Sequence, residues 1–353
     1  MGPSRSRRKR FSRCSRLTSL VIQTAFLGDV VLTTPLLDAL ATRHGPVDIV
    51  TTPGAAALVE THPAVRRVIP YDKRGADRGL AGLIRLVRTL RAGRYDVAYL
   101  PHRSLRSAAL AWLAGIPQRV GFEDGWRLLY TEGRGRARQG HEIDRLLALG
   151  GGSAPHRTRP SLHLTVADRA ATEQFLRAHG IQEPFVALAP GSIWGSKRWP
   201  YYRELAERLA QHVAIVTVGG PEDAALGEQV VQGVEGGGGA WRAANACGRL
   251  SLRQSAELIR RAAVLVTNDS APLHLAQAVE TLTVAIFGST VPAFGFAPRG
   301  PRDVVIELVG LSCRPCSAHG PAVCPLGHHR CMRDIDVERV LAAIAATGAL
   351  KST

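Results

Sequence analysis

The chain has 353 residues, 45% of them hydrophobic and 21% charged, and its 45 lysines and arginines outnumber 29 acidic residues to give a formal net charge of +16. This apolar content excludes a chain that is disordered as a whole, and the sequence holds no uncharged apolar run of the roughly 18 residues that a transmembrane helix needs. The length predicts two domains, each large enough to bury its own core.

The N-terminus is strongly basic, since the first 20 residues hold seven arginines and lysines and no acid. We predict that residues 1–16 are a disordered arm, and that any function of this arm is to contact anionic lipid head groups or phosphates. A signal peptide is the weaker interpretation, because Gln23 interrupts the apolar run Leu17–Leu27 and no small-residue cleavage site follows.

From Leu17 onward, short apolar runs alternate with amphipathic stretches. The predicted strands are Leu17–Thr24, Val47–Thr51, Val65–Pro70, Val97–Leu100 and Arg119–Phe122. The predicted helices are Val31–Arg43, Leu80–Leu90 and Ser104–Ala114. This alternation is typical of a parallel sheet covered by helices.

A stretch rich in Gly, Ser and Pro, Gly150–Ser161, predicts a linker, and a flexible break is expected at Gly236–Gly239. Between and after them the alternation restarts. The predicted strands are Phe185–Ala189, Ala214–Val218, Val264–Thr267 and Thr283–Phe287. The predicted helices are Ala167–His179, Tyr201–Gln211, Glu222–Val234, Leu252–Ala262, Pro272–Val279 and Asp336–Ala346. We expect two doubly wound α/β domains over 17–160 and 161–335, a C-terminal helix and tail over 336–353, and ligands at the carboxyl ends of the strands.

The first motif with chemical content is Gly28-Asp29, which lies between the first strand and the first helix. An aspartate at a helix start is commonly an N-cap. The alternative is a general base that takes a proton from an acceptor hydroxyl, with the helix N-terminus favouring its ionised form.

The second motif, Pro190–Pro200, follows a strand and contains Gly191, Ser192 and Lys197. Its backbone amides, with the serine and the lysine, are suited to hold a phosphate. It is not a Walker A loop, because three residues separate its glycines and the lysine follows a serine. An ordinary glycine-containing loop is the alternative.

The third motif, Thr267–Leu275, is again a strand end that leads into a helix. The exposed helix N-terminus at Ser270 and Ala271 predicts an anion site, whereas Asp269 is expected to contact sugar hydroxyls. His274, about one turn into the helix, reaches the same crevice in this interpretation. The alternative is an N-cap aspartate and a partly buried histidine.

Gly219–Asp223 is a fourth strand-end turn, in which Glu222 is placed to accept hydrogen bonds from a ribose diol. On its own this signal is weak, because glycine and acids are common in such turns.

Four cysteines near the C-terminus, Cys313, Cys316, Cys324 and Cys331, have three histidines among them. Four thiolates are able to bind structural zinc, but the spacing does not match a standard zinc knuckle. A packed cluster of reduced cysteines is the alternative. Free thiols are typical of a cytosolic protein.

The ordered set of these motifs, with Leu100–Ala108, Asn245–Leu252 and Cys324–Met332, resembles glycosyltransferase family 9, the lipopolysaccharide heptosyltransferases. The resemblance covers about residues 17–345. It implies a GT-B fold, in which two Rossmann-like domains face a cleft. It also implies inverting transfer from ADP-L-glycero-D-manno-heptose to the lipid-anchored inner core, with no required cofactor. The enzyme would be cytoplasmic and peripheral to the inner face of the inner membrane.

The resemblance places Asp29 on the catalytic aspartate of the family. It assigns to donor binding the residues Ser192, Lys197, Glu222, Leu250 beside adenine, Asp269, Ser270, Ala271 and His274. We expect Lys197 and the helix N-terminus to stabilise the leaving ADP, with no catalytic metal. Arg103 and Arg106, at and beyond a strand end of the acceptor domain, are predicted to meet acceptor carboxylates or phosphates.

Three alternatives stay open at this point. The first is the same fold acting on another nucleotide-sugar or glycan acceptor, since nothing in the sequence reads the heptose ring. The second is a non-catalytic nucleotide-sugar or anionic-lipid binding protein, against which Asp29 and Lys197 argue. The third is a basic nucleic-acid binder, which lacks a recognisable motif here.

Overall fold

A computed structural model describes residues 17–151, 159–236 and 242–350. The basic arm, most of the predicted linker and most of the predicted glycine break therefore lie outside the described residues. Each half of the chain folds around one six-stranded sheet in which every pairing is parallel. In the described part of the chain, no helix is long and apolar enough to cross a membrane.

The first half has the strand order β3-β2-β1-β4-β5-β6. Its strands are β1 Ser19–Ile22, β2 Val47–Thr51, β3 Val65–Pro70, β4 Val97–Leu100, β5 Gln118–Phe122 and β6 Glu132–Arg134. Its helices are α1 Leu27–His44, α2 Pro53–Val59, α3 Gly79–Ala92, α4 Leu105–Leu113 and α5 Glu142–Leu149, with a 3₁₀ turn at Arg127–Leu129. The central strands are buried on both faces, as the near-continuous apolar runs predicted.

The second half repeats the same arrangement, with the order β12-β11-β10-β7-β8-β9. Its strands are β7 Phe185–Ala189, β8 Ala214–Thr217, β9 Ala243–Asn245, β10 Val264–Asn268, β11 Thr283–Phe287 and β12 Val304–Glu307. Its helices are α6 Val166–Ala178, α7 Tyr202–Leu209, α8 Ala224–Gly236, α9 Leu252–Arg261, α10 Ala271–Ala278, α11 Arg330–Arg333 and α12 Val337–Thr347.

Both orders are those of a dinucleotide-binding fold, and both reverse direction once, between β1 and β4 and between β7 and β10. Two separate cores cover the two faces of the first sheet, one under α1, α2 and α5 and the other under α3 and α4. Helix α12 packs on the second sheet. The two reversal points are where ligands are expected.

The two halves are packed against each other through the α1 and α2 side of the first sheet. Helix α1 contacts α10 and α2 contacts α9, and Val31 and Leu58 join an apolar core of the second half. At the start of α5, the backbone N–H of Glu142 donates to the carbonyl oxygen of Gly295, at 2.9 Å. These contacts hold the carboxyl edges of the two sheets beside one cleft.

Candidate active site

A cavity of about 230 Å³ lies in this cleft, lined by residues of both halves. The first half contributes the segment from Phe26 to Asp29. The sequence-predicted residues that line the cavity are Asp29, Ser192, Lys197, Glu222, Asp269, Ser270, Ala271 and His274. Leu250, Arg103 and Arg106 lie outside this lining, and Leu252 is the leucine of that region that takes part in it.

Asp29 lies within the first turn of α1, because this helix begins at Leu27 and not at Val31 as predicted. Its Oδ2 accepts a hydrogen bond from the backbone N–H of Phe26, at 3.1 Å. Burial raises the pKa of Asp29 to about 6, and the charge of Glu142 adds to this rise, whereas the Phe26 N–H, Arg136 and Lys197 oppose it. The carboxylate is therefore ionised at neutral pH. Its pKa is close enough to neutral pH for the group to accept a proton.

His274 closes the inner wall of the cavity behind Asp29. Its ring is so close to Gly28 that a Cβ at that position would lie 2.3 Å from the Cδ2 of His274. Burial lowers the pKa of His274 to about 4, so the ring is neutral at pH 7. The absence of a side chain at Gly28 thus lets α1 approach α10 at the reacting edge.

Replacing Gly28 with alanine is expected to lower activity by about 100-fold, because a displacement of about 1 Å is enough to misplace Asp29 at the cavity. The matched control is Gly54→Ala in α2, where the nearest atom to a new Cβ is 4.0 Å away. Steady-state kinetics of both variants check this. Equal activity of the two variants would show that close approach at Gly28 is unimportant.

Lys197 is nearly buried, and its Nζ donates to Oδ2 of Asp269 at 2.7 Å. The same carboxylate oxygen accepts a hydrogen bond from the hydroxyl of Thr290, also at 2.7 Å. Asp269 was predicted to contact sugar hydroxyls, and in this structure one of its oxygens is occupied in fixing the lysine. The pair places a cation beside the cavity in a low-dielectric environment.

The side chain of Asn268 fixes the loop Pro190–Pro200 that follows β7, although the sequence motifs gave this residue no role. Its amide nitrogen donates to the carbonyl oxygens of Pro190 and Gly191, at 3.0 and 3.2 Å. Its carbonyl oxygen accepts from the backbone N–H of Trp199, at 3.1 Å. One fully buried side chain at the end of β10 therefore fixes the loop that carries Ser192.

The N-terminus of α10 faces the cavity through Ser270, Ala271 and Pro272. Ser270 is the N-cap, and its side chain makes no capping hydrogen bond within the described residues. Within this turn, Pro272 has no backbone N–H, and the N–H of Leu273 donates to the carbonyl oxygen of Ser270 at 3.1 Å. The turn therefore offers an anion the N–H of Ala271 and the positive end of the helix dipole.

Two neighbouring acids lie in the turn after β8. Glu222 is exposed at the cavity wall. Asp223 is buried in the lining, and its Oδ1 has no hydrogen-bond partner in the described part of the chain. Burial raises the pKa of Asp223. A buried acceptor without a partner in a cavity wall is suited to a ligand hydroxyl.

A group of cationic side chains lies in the first half near the Phe26–Asp29 segment, outside the cavity lining. Lys73 donates from Nζ to the carbonyl oxygen of Thr24 at 2.6 Å, just before the Phe26–Asp29 segment. Burial lowers the pKa of Lys73, and so do the charges of Arg74 and Arg106. Arg103 pairs with Asp124 at 3.1 Å. The sequence motifs pointed to both arginines near β4 but not to Lys73 and Arg74.

The segment that contains the four C-terminal cysteines contacts the loop that carries Lys197. The His329 Nε2 donates to the carbonyl oxygen of Ser196 at 2.9 Å, and the Cys316 N–H donates to the carbonyl oxygen of Ser289 at 2.9 Å. The four cysteines are free thiols. Among the described residues, which include all four, no group of three or more His, Cys, Asp or Glu side chains is arranged to hold a metal ion.

The segment also carries His319, whose ring meets that of Phe26 across the cavity mouth, with centroids 5.7 Å apart.

The family model described as glycosyltransferase family 9 (heptosyltransferase) matches residues 83–324. The chain belongs to this family. It is 27% identical to lipopolysaccharide heptosyltransferase 2 of Escherichia coli, over 93% of this chain and 97% of that protein. It is 28% identical to lipopolysaccharide heptosyltransferase 1 of Pseudomonas aeruginosa, over 91% and 92% respectively.

The solved structure of E. coli ADP-heptose LPS heptosyltransferase II matches with a TM-score of 0.75 and 26% identity, covering 94% of this chain and 98% of that one. The two parallel sheets and this match confirm the GT-B fold predicted for a family 9 enzyme. The chain is therefore a glycosyltransferase, and the site residues described above stand as candidates for its reaction.

Proposed function

We propose that this family 9 enzyme transfers heptose from ADP-L-glycero-D-manno-heptose to the lipid-anchored inner core of lipopolysaccharide. One observation carries the proposal: a carboxylate on the first half and a buried lysine with a helix N-terminus on the second half line the same cavity. The identity of the sugar and of the acceptor is supported by the relatives, named as heptosyltransferases of types 2 and 1.

In the proposed reaction, Asp29 takes the proton of an acceptor hydroxyl. The hydroxyl oxygen forms a bond to the anomeric carbon from one side while the bond from that carbon to the ADP phosphate oxygen breaks on the other. ADP leaves with the bonding electron pair, and the anomeric configuration is inverted. Asp29 ends protonated and returns its proton to water.

The leaving diphosphate gains negative charge as the bond breaks. Lys197 and the first turn of α10 stabilise that charge, and both are held in place before the reaction. Ser192 lies in the loop that Asn268 fixes, where it contacts phosphate or sugar. The contact between Phe26 and His319 helps to exclude water from the cavity.

The nucleoside end of the donor is assigned to the turn after β8. Glu222 accepts hydrogen bonds from ribose hydroxyls. Asp223 beside it holds the turn, because its Oδ2 accepts the backbone N–H of Gly220 at 3.2 Å. Leu252, with Leu250 behind it, offers an apolar surface to adenine.

We place the acceptor on the first half, where Arg103, Arg106, Lys73 and Arg74 lie near the segment that lines the cavity. Carboxylates and phosphates of an inner-core oligosaccharide complement this charge. Because that acceptor is lipid-anchored, we place the enzyme in the cytoplasm, peripherally bound at the inner face of the inner membrane.

The pKa of Asp29, raised to about 6, sets the expected pH dependence. Below that pH the carboxyl group is protonated and cannot accept the acceptor proton, so kcat/KM should fall by about tenfold per pH unit. His274, with a pKa near 4, stays neutral over the same range and adds no second step. A flat profile between pH 5 and 7, with ADP binding unchanged, would exclude Asp29 as the base.

The proposal is tested by incubating the enzyme with ADP-heptose and inner-core acceptors that carry either no heptose or one heptose, followed by mass spectrometry. A gain of one heptose on the acceptor with one heptose indicates type 2 activity, and a gain on the other acceptor indicates type 1. ADP-heptose binding without transfer to either acceptor would overturn the proposed acceptor.

A further inference from the structure

We propose that one face of the first half docks onto the surface of an anionic lipid bilayer. This docking face is formed by α3, α4 and the 3₁₀ turn at Arg127–Leu129, and its apolar members are Leu80, Ile84, Leu105, Trp112, Trp126 and Leu128. The inference rests on the proposed function in one respect, namely that a lipid-anchored acceptor requires work at a membrane. It adds which surface makes the contact.

The six apolar side chains are strongly exposed. Leu128 is fully exposed at 100%, Leu80 at 69% and Trp112 at 53%. A single exposed apolar side chain is ordinary in a globular protein, but six on three adjacent elements form a patch of the kind that marks an interaction surface.

The helix period places these side chains together. Leu80 and Ile84 are one turn apart on α3, and Leu105 and Trp112 are two turns apart on α4. The opposite sides of these helices are buried against the sheet through residues such as Leu86 and Leu110. Because α4 packs against both α3 and the 3₁₀ turn, the exposed stripes form one surface.

The charge of the same region identifies the partner. Residues 73–128 contain 11 lysines and arginines and 4 acids. Arg88, Arg106 and Arg127 are exposed on the elements that carry the apolar stripes. Arginines around tryptophan and leucine side chains are typical of a surface that lies in the head-group region of anionic lipids. A second copy of this chain would instead bring like charge against it.

The position of the docking face also suits the reaction. The opposite face of the first sheet is used against the second half, through α1 and α2. The N-termini of α3 and α4 lie at the carboxyl edge of the first sheet, the edge where Asp29 follows β1. A bilayer on this face therefore lies beside the cationic side chains where we place the acceptor.

The experiment compares vesicle binding of the full chain and the variant Trp112→Ser/Leu128→Ser. Vesicles of phosphatidylethanolamine with phosphatidylglycerol are compared with vesicles of phosphatidylcholine alone. The matched control is Val166→Ser/Val309→Ser, two side chains of the second half that are 78% and 81% exposed. We expect wild type and control to bind the anionic vesicles in a salt-sensitive way, and the docking-face variant to bind at least about tenfold more weakly.

Activity is measured in parallel on a delipidated, water-soluble acceptor and on the same acceptor embedded in vesicles. The docking-face variant should match wild type on the first and be slower on the second. Binding to anionic vesicles that is equal in the two double variants overturns the inference, as does a wild-type dimer that the variant converts to monomer without vesicle binding. Loss of binding in the variant, with a wild type that transfers no heptose, would leave the docking face intact and refute the proposed function.

Discussion

Asp29→Asn is expected to lower kcat by about 10³-fold while ADP binding stays unchanged. Asparagine has nearly the same volume as aspartate, and its side-chain oxygen is still able to accept the Phe26 N–H that Asp29 now accepts at 3.1 Å. What the amide lacks is the basicity needed to take a proton from the acceptor hydroxyl.

The control is Glu123→Gln, which removes an exposed acid from the same half of the protein. Circular dichroism should be the same for both variants and the wild type, and neither variant should be less stable to heat, since Asp29→Asn removes a carboxylate whose pKa is raised by burial. If Asp29→Asn kept more than about a tenth of the wild-type kcat, another group would have to be the base, since a general base contributes at least about 10²-fold.

Lys197→Met is the second substitution with a large expected effect, a loss of about 10²- to 10³-fold in kcat. Methionine keeps the apolar stem but removes the cation that we propose faces the leaving diphosphate. It also leaves Asp269, whose side chain is 10% exposed, without its ion-pair partner, so a loss of about 3 kcal/mol in unfolding free energy is expected.

The double variant Lys197→Met/Asp269→Asn separates the two effects. Removing the second charge should restore much of the thermal stability, because no carboxylate is then left buried and unpaired. It should not restore kcat. Recovery of activity together with stability would show that Lys197 is needed only to hold the fold, and would refute its role beside the leaving group.

Much of the fold was predictable because buried parallel strands have a local signature. The predicted strands Val47–Thr51, Val65–Pro70, Val97–Leu100, Phe185–Ala189 and Thr283–Phe287 have the bounds found in the structure. Each is short, mostly apolar and bounded by polar or turn residues, so neighbouring sequence alone identifies it.

The elements that were missed depend on tertiary contacts. Strands β6 and β9 have three residues each and lie at sheet edges, too short for a period to be read. Strand β12 is the edge strand at the other end of the second sheet. Helix α5 takes its place partly from contacts with the second half, as the bond between Glu142 and Gly295 illustrates.

For the candidate site too, local sequence signals identify some residues, and tertiary contacts are needed to identify others. Asp29, Ser192, Lys197 and Asp269 all lie in the loops or first helical turns that follow strands, and the carboxyl ends of parallel strands meet at one edge, so sequence order was enough to bring them together. Lys73 also lies after a strand, β3, but it belongs to no motif there. Its hydrogen bond to the carbonyl oxygen of Thr24, 49 positions away, is what shows its place next to the Phe26–Asp29 segment.

Asp223 and Asn268 were within the motifs but were given no role. An acid next to an exposed glutamate and an asparagine at a strand end are both common in turns. Only the buried Oδ1 of Asp223 and the three hydrogen bonds between Asn268 and the β7 loop distinguish them from ordinary turn residues.

The stereochemistry of the transferred sugar tests the central claim most directly, because a base that activates the acceptor hydroxyl for a single displacement gives inversion at the anomeric carbon. The product formed from ADP-heptose of known anomeric configuration would be isolated, and its one-bond carbon–hydrogen coupling at the anomeric centre measured by NMR. We expect a product of inverted configuration. A product with retained configuration would contradict the proposed mechanism, and so would an absence of product with every inner-core acceptor.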